Sequence, residues 1–216
     1  MNIKLYYTPR TRSIRPRWLL EELQLDYKLH PIDLFGGEGS SEAYRRIQPH
    51  GCVPAIEIDQ QVMFESCAIC HWLTDQHPDK QLAPPLHAAE RKQYEQWMFY
   101  VPGTMEPPVW HMLLHRDILP EKRRVAEIVP WAKKQYESVL RYLESQLQGK
   151  EFLLDGHFTS ADITLGSTLM WTENMLEPFP ALKDYIGRLR QRAAYQRSID
   201  ETPPAPDAQS PAGLAQ

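Results

Sequence analysis

Short apolar runs alternate with helical stripes as far as Pro78, and beyond it only helical stripes remain. Ile3 to Tyr7 is an apolar and aromatic run stopped by Thr8-Pro9, which predicts a short strand. Ser13 then precedes Ile14, Trp18, Leu19 and Leu23, which share one side of a helix. Pro16 falls in that helix's first turn, where a missing N–H costs nothing. Tyr27 to Ile32 predicts a second strand, and "GGEGSSEAYRRI" a glycine-rich loop running into a short helix. Ala55 to Ile58 and Val62 to Phe64 predict a hairpin. Its turn, Asp59-Gln60-Gln61, lacks the usual glycine, so the register stays open. "ESCAICHWLTDQH" predicts a third helix ending before Pro78.

From Ala88 onward no strand pattern is present, and the segments 88–116, 121–148, 160–176 and 180–198 read as helices. The first contains Pro102-Gly103 and Pro107-Pro108, which should kink or break it. In the second, Val125, Ile128, Val129, Val139, Leu140, Leu143 and Leu147 recur at helical spacing. The proline-rich, polar "HPDKQLAPPLHA" marks a linker near 79–87, giving domains at 1–80 and 88–198. The end, "TPPAPDAQSPAGLAQ", is poor in large apolar residues and predicts a disordered tail over 201–216.

The order β-α-β-α-β-β-α sets a parallel first half beside an antiparallel second half. That is a thioredoxin-like α/β domain with a mixed four-stranded sheet, followed by an all-α domain. Composition leaves this picture intact: 42% hydrophobic and 24% charged residues are ordinary for a globular chain. A net charge of −4 gives no overall footprint for nucleic acid or an anionic membrane. The basic run Arg10, Arg12, Arg15, Arg17 is the local exception. No apolar stretch approaches the roughly 18–20 residues that span a bilayer. No signal-peptide pattern opens the chain, and three cysteines make no disulfide framework. A cytoplasmic location is expected.

Four features carry chemistry. In "QPHGCVPAIEI", Val53-Pro54 at a strand entrance has the form of a cis-proline turn. Such a turn points the Val53 N–H and C=O outward, where an extended peptide pairs as it would with a sheet edge. Glu65-Ser66 opens the third helix, where main-chain N–H groups and the helix dipole favour a carboxylate and the acidic side chain an ammonium. The loop "TPRTRS" faces the same cleft and brings Thr11, Arg12 and Ser13 to it. Ser13 reads equally as a helix cap, and Arg15 and Arg17 as a solvated face. In "FTSADIT", Thr159 and Asp162 form a capping box worth about 1 kcal/mol.

These pieces resemble the soluble glutathione transferases, in a subgroup common in bacteria and fungi. That subgroup carries Ser-Arg-Ser-x-Arg and then Trp-Leu-Leu-Glu-Glu-Leu; here stand Thr11-Arg12-Ser13-Ile14-Arg15 and Trp18 to Leu23. The resemblance spans residues 1 to about 198. It implies glutathione as co-substrate, no permanently bound cofactor, a homodimer, and conjugation of the thiolate to an apolar electrophile. It implies glutathione contacts from Val53, Pro54, Glu65 and Ser66, with His50 and Cys52 beside them. Thr11 replaces the subgroup's serine in supporting the thiolate; Ser13 is its rival, and Arg12 stands ready for a glutathione carboxylate. Tyr7, Tyr100 and Trp110 are the candidates for lining the second-substrate pocket. A glutathione-dependent disulfide reductase or peroxidase is an alternative, supported by Cys67. A non-catalytic binding module is another, opposed by the retained Glu65-Ser66.

"CAICH" (Cys67 to His71) matches a haem-attachment and a redox pattern. Neither context fits, because no export signal is present and the match lies inside a helix. Cys67 falls in a first helical turn, where a thiol pKa can drop, but packing is the expected role. No metal site is expected.

Overall fold

The computed structural model describes residues 1–200; the tail expected over 201–216 lies outside the described residues. Four strands, β1 (Ile3–Tyr7), β2 (Lys28–Pro31), β3 (Ala55–Ile58) and β4 (Gln61–Phe64), form one sheet in the order β2-β1-β3-β4. β2 runs parallel to β1, while β1 and β4 both run antiparallel to β3. Three helices complete the unit: α1 (Ile14–Leu23), α2 (Glu42–Arg45) and α3 (Ser66–Gln76). This is the expected thioredoxin-like order.

The hairpin turn is one residue shorter than the sequence suggested, since Ile58 pairs with Gln61. Asp59 and Gln60 both take the left-handed region, at φ 47° and 70°. Asn2 replaces the missing glycine's help: its N–H donates to Asp59 Oδ1 (2.8 Å) and its carbonyl accepts from the Asp59 N–H (3.0 Å). Alternation along β1 sends Ile3 and Leu5 to the face covered by α1 and α3, and Tyr6 to the face holding Ile32, Tyr44 and Ala55.

The second half holds α4 (Arg91–Tyr100), α5 (Glu106–Leu113), α6 (Ile128–Leu147), α7 (Ser160–Trp171), α8 (Pro180–Arg190) and α9 (Ala193–Ile199). The prolines do not break the first of these. A π turn at Val101–Met105 joins α4 to α5, and the backbone stays right-handed helical at both junctions. A widened turn moves away the carbonyl that a proline ring would strike and shifts the ladder past its missing N–H. α6 begins at Ile128 rather than near 121, which leaves Pro130 in the first turn, the one place its ring fits. Val125 is consequently exposed. The stretch read as one helix over 180–198 is two, divided at the extended Arg192 (ψ 128°). That bend sets Tyr195 edge-on to Trp18 at 4.9 Å and pairs Arg192 with Glu22 at 2.6 Å. One apolar core runs from Leu5 and Trp18 through Trp97 to Leu165 and Leu189, so the sheet half and the helical half share an interior.

Candidate active site

The register gathers three connections at one end of the sheet. Tyr6 pairs with Ala55, and Ala55 with Phe64. The stretch following β1, the turn preceding β3 and the residues following β4 therefore leave the sheet side by side.

The turn before β3 contains a cis bond between Val53 and Pro54. The buried Gln48 braces it: its Oε1 accepts from the N–H groups of His50 (2.8 Å) and Cys52 (3.1 Å). The Tyr44 hydroxyl donates to the Cys52 carbonyl at 2.7 Å. Val53 takes part in none of these bonds, while His50 and Cys52 are exposed beside it. Gly51, at φ 68°, packs directly on Gly39, and a Cβ there would run into the Gly39 carbonyl. Gly51→Ala is expected to lower stability by about 2 kcal/mol or more, from left-handed strain plus the clash, seen as a lower urea midpoint.

After β4, Glu65 is exposed and held at φ 74°, ψ 103°, a strained conformation for a residue with a side chain. Ser66 is buried, and its Oγ accepts from Arg15 Nη1 at 3.0 Å. Arg15 was read as part of a solvated face; it is instead 0% exposed. Pointing inward from α1, it forms an ion pair with Glu106 and donates to Ser167 Oγ (3.0 Å) and Thr168 Oγ1 (2.6 Å). Glu106, itself 5% exposed, also accepts from Arg12 Nε at 2.7 Å. The Arg12 guanidinium sits 5.4 Å from the ring centres of both Trp110 and Trp171. A buried hub of Arg15, Glu106 and Thr168 thus ties the sheet half to α5 and α7 directly behind Ser66. Sequence reasoning missed it, although a charged residue on an apolar stripe was the available signal.

Within the loop after β1, Ser13 does not cap α1: its side chain makes no cap bond. Its hydroxyl is wholly buried, accepting from the Thr8 N–H and donating to the Thr8 carbonyl, both at 3.1 Å. Thr11 is partly exposed and donates to the Thr8 carbonyl at 2.6 Å. Arg17, also read as solvated, is 7% exposed.

Cys67 lies within 3.6 Å of Arg15 Nη1. Burial nonetheless pushes its thiol up, outweighing the pull of Arg15, so the lowering that a first-turn position allows does not occur. Cys70 is fully buried and its thiol raised further, again chiefly by burial. His71 stacks on Tyr94 and meets Arg91 at 3.0 Å. Among the described residues, no three His, Cys, Asp or Glu side chains gather as a metal site.

A cavity of about 270 Å³ opens between residues 7–17, α7 and α9, with Tyr7, Ile14, Trp171 and Tyr195 among its walls. Of the three residues considered for a second-substrate pocket, Tyr7 lines it. Tyr100 packs against Trp97 and Tyr142 (5.3 and 5.7 Å), and Trp110 lies half exposed under Arg12. Neither reaches this cavity.

A cis-proline turn and a helix N-terminus meeting at one end of a thioredoxin-like sheet, roofed by helices, define a class, and the chain belongs to it. It is a member of the glutathione S-transferase family, whose N-terminal domain matches residues 11–76 and whose C-terminal domain matches residues 87–188. GstA, a glutathione S-transferase of Escherichia coli O157:H7, is 28% identical over 216 residues, covering 98% of this chain and 100% of its own. YfcG of Escherichia coli K12, a disulfide-bond oxidoreductase, is 26% identical, covering 91% of this chain and 94% of its own. The solved structure of BphK, a bacterial glutathione transferase in a ternary complex, is similar with a TM-score of 0.81 at 28% identity, covering 91% of this chain and 97% of that one.

Proposed function

We propose that this protein joins the sulfur of glutathione to an electrophilic carbon, working as a cytoplasmic homodimer. The observation that carries this reading is the meeting of the Val53-Pro54 turn with Glu65-Ser66 at one sheet end. In this reading the Val53 main chain pairs with the cysteinyl portion of the tripeptide. Ser66 and the start of α3 receive the γ-glutamyl carboxylate, and Glu65 receives its ammonium. Arg15 keeps the Ser66 hydroxyl in place from behind. His50, Cys52 and Pro54 border the same turn.

Thr11 is the hydroxyl that supports the thiolate, because Ser13 is wholly buried whereas Thr11 is partly exposed and need only turn its O–H from the Thr8 carbonyl to the sulfur. Lowering a thiol from about 8.5 by about two units gives roughly 25-fold more thiolate at pH 7. The weaker nucleophile loses about 6- to 10-fold, leaving a gain of roughly threefold. Most of the acceleration must therefore come from holding the electrophile beside the sulfur. Thr11→Val should lower conjugation of chlorodinitrobenzene only about threefold at pH 7, while the midpoint of its pH–rate profile rises by about two units. Thr11→Ser should keep the wild-type profile. An unmoved midpoint in Thr11→Val would remove Thr11 from this role.

Likeness to YfcG supports a second reading, glutathione-dependent disulfide reduction. There one glutathione thiolate attacks the disulfide, and a second resolves the mixed disulfide to glutathione disulfide and free thiol. The raised thiols of Cys67 and Cys70 disfavour these two cysteines as participants in either chemistry. Parallel assays with chlorodinitrobenzene and hydroxyethyl disulfide separate the two readings. Failure of immobilised glutathione to retain the protein would remove both and leave the non-catalytic module.

A further inference from the structure

Three arginines lie buried in this protein, and two of them have carboxylate partners. Arg15 pairs with Glu106, and Arg91 reaches both oxygens of Asp75 at 2.7 and 2.8 Å. Arg17 differs. Its Nη2 donates to the main-chain carbonyls of Asp200 at 2.6 Å and Arg197 at 3.4 Å, and its side-chain partner is the neutral Tyr27 hydroxyl. Its Nε is buried without a partner, and no ion pair joins it to a carboxylate among the described residues. Glu21, one turn along α1, is engaged by Arg197 at 2.6 Å; it lies with Asp26 on a second, more polar cavity that Arg17 also borders, on the side away from Tyr7. A guanidinium cannot shed its charge, and an unpaired buried charge is costly.

Arg17 lines the cavity beside the Thr11 loop, stacked 5.4 Å from the Tyr7 ring. Among the described residues, the only other charged residue on that cavity's wall is Arg10, an exposed residue held at φ 59°, and no Asp or Glu lines it. The rest is mostly aromatic and aliphatic, including Ile14, Trp171 and Tyr195. The volume of about 270 Å³ suits a single-ring compound. An apolar chamber whose fixed charges among the described residues are both positive selects for a molecule with an apolar body and an acidic group.

We propose that this cavity takes aromatic electrophiles bearing a carboxylate, with the acid group on Arg17 and the ring among Tyr7, Trp171 and Tyr195. The substrate class rests on the transferase reading; the anion site does not. For a chloro-substituted aromatic acid, the glutathione sulfur bonds to the ring carbon, and chloride leaves with the carbon–chlorine electron pair. The thiol proton passes to solvent and the carboxylate is unchanged.

Two measurements on the full chain test the proposal. The first is binding of nitrobenzoate against nitrobenzamide, followed by tryptophan quenching without glutathione. The acid should bind wild type about 10- to 100-fold more tightly, the scale of a charge-assisted hydrogen bond. The second compares chlorodinitrobenzoate with its methyl ester, each kcat/KM divided by its uncatalysed rate with glutathione, and the same preference should appear. Arg17→Met should bring both preferences near parity, and Arg10→Gly, which suits the left-handed backbone, should reduce them only severalfold. Equal binding of acid and amide by wild type overturns the anion site, as does a preference that survives Arg17→Met. If Arg17→Met does not fold, the wild-type comparison and Arg10→Gly still decide. Preferential binding of nitrobenzoate with neither chloro compound turned over upholds the anion site and counts against the transferase reading. Turnover of the ester at least equal to the acid overturns the substrate class alone.

Discussion

Replacing Glu106 with alanine is expected to destabilise the protein by about 3–5 kcal/mol, because it strands the Arg15 guanidinium in the interior. Arg15 is 0% exposed, and its other hydrogen-bond partners are neutral, the hydroxyls of Ser66, Ser167 and Thr168 and the Cys67 thiol. The double variant Arg15→Met/Glu106→Met should recover much of that loss, since exchanging a buried pair for apolar groups of similar size is often near neutral. It should not recover glutathione affinity, because Ser66 loses the donor that fixes its hydroxyl. Stability and affinity are thereby separated in one pair of variants, read by urea midpoint and glutathione titration. Full recovery of both would show the hub to be structural only. Acid should reveal the same pair. Burial pushes the Glu106 carboxyl up, but the attraction of Arg15 and Arg12 and their hydrogen bonds outweigh it, holding it below its ordinary 4.5. A depressed carboxylate stabilises the fold above the unfolded-state value and loses that contribution as pH falls through the folded-state value. The stability advantage of wild type over Glu106→Gln should therefore shrink below about pH 4.

The strands were legible because each is a short run of apolar alternation bounded by turn residues, and the parallel pairing of the first two followed from the helix placed between them. Val53-Pro54 and Glu65-Ser66 were legible as local chemistry. The hub behind them was not, for a definite reason. Arg15 lies four residues before Leu19 on the buried side of α1, and Glu106 lies among Met105, Val109 and Met112 on the buried side of α5. Charge alone sends both to the surface in a reading of one helix at a time. Only their meeting across the two halves makes burial tolerable. The same holds for the cavity, whose walls come from the start of the chain, Trp171 and Tyr195. The prolines misled in the opposite direction, since a local rule about missing N–H groups says nothing of a π turn that widens to hold Pro102 and places Pro107 and Pro108 in the first turn of α5.

Asp162→Ala is expected to be at least as damaging as the loss of Glu106, at about 4–6 kcal/mol, because one buried carboxylate serves four donors. Its Oδ2 accepts from the Thr159 N–H (2.8 Å) and hydroxyl (3.1 Å), and its Oδ1 from the Leu153 N–H (2.9 Å) and the Tyr185 hydroxyl (2.8 Å). The capping box read from the sequence is thus also a clamp joining the chain at Leu153, the start of α7 and the middle of α8. All these residues are buried, so each orphaned donor costs about 1–3 kcal/mol, reduced where the chain relaxes. Asparagine cannot substitute. The two hydroxyls could turn to accept, but each carboxylate oxygen also takes one main-chain N–H, so whichever way the amide turns its NH2 faces a donor, and Asp162→Asn should still lose about 2–4 kcal/mol. Burial raises the Asp162 carboxyl above its ordinary value despite these bonds. Its ionisation therefore disfavours the folded state as pH rises through the folded-state value, the reverse of Glu106. The gap between wild type and Asp162→Asn should accordingly narrow, not widen, over that rise. Since α7 carries Ser167 and Thr168 to Arg15 and Trp171 to the cavity, the same substitution should weaken glutathione binding from a distance. A variant Asp162→Asn within about 0.5 kcal/mol of wild type by urea unfolding would show that the four donors find water instead.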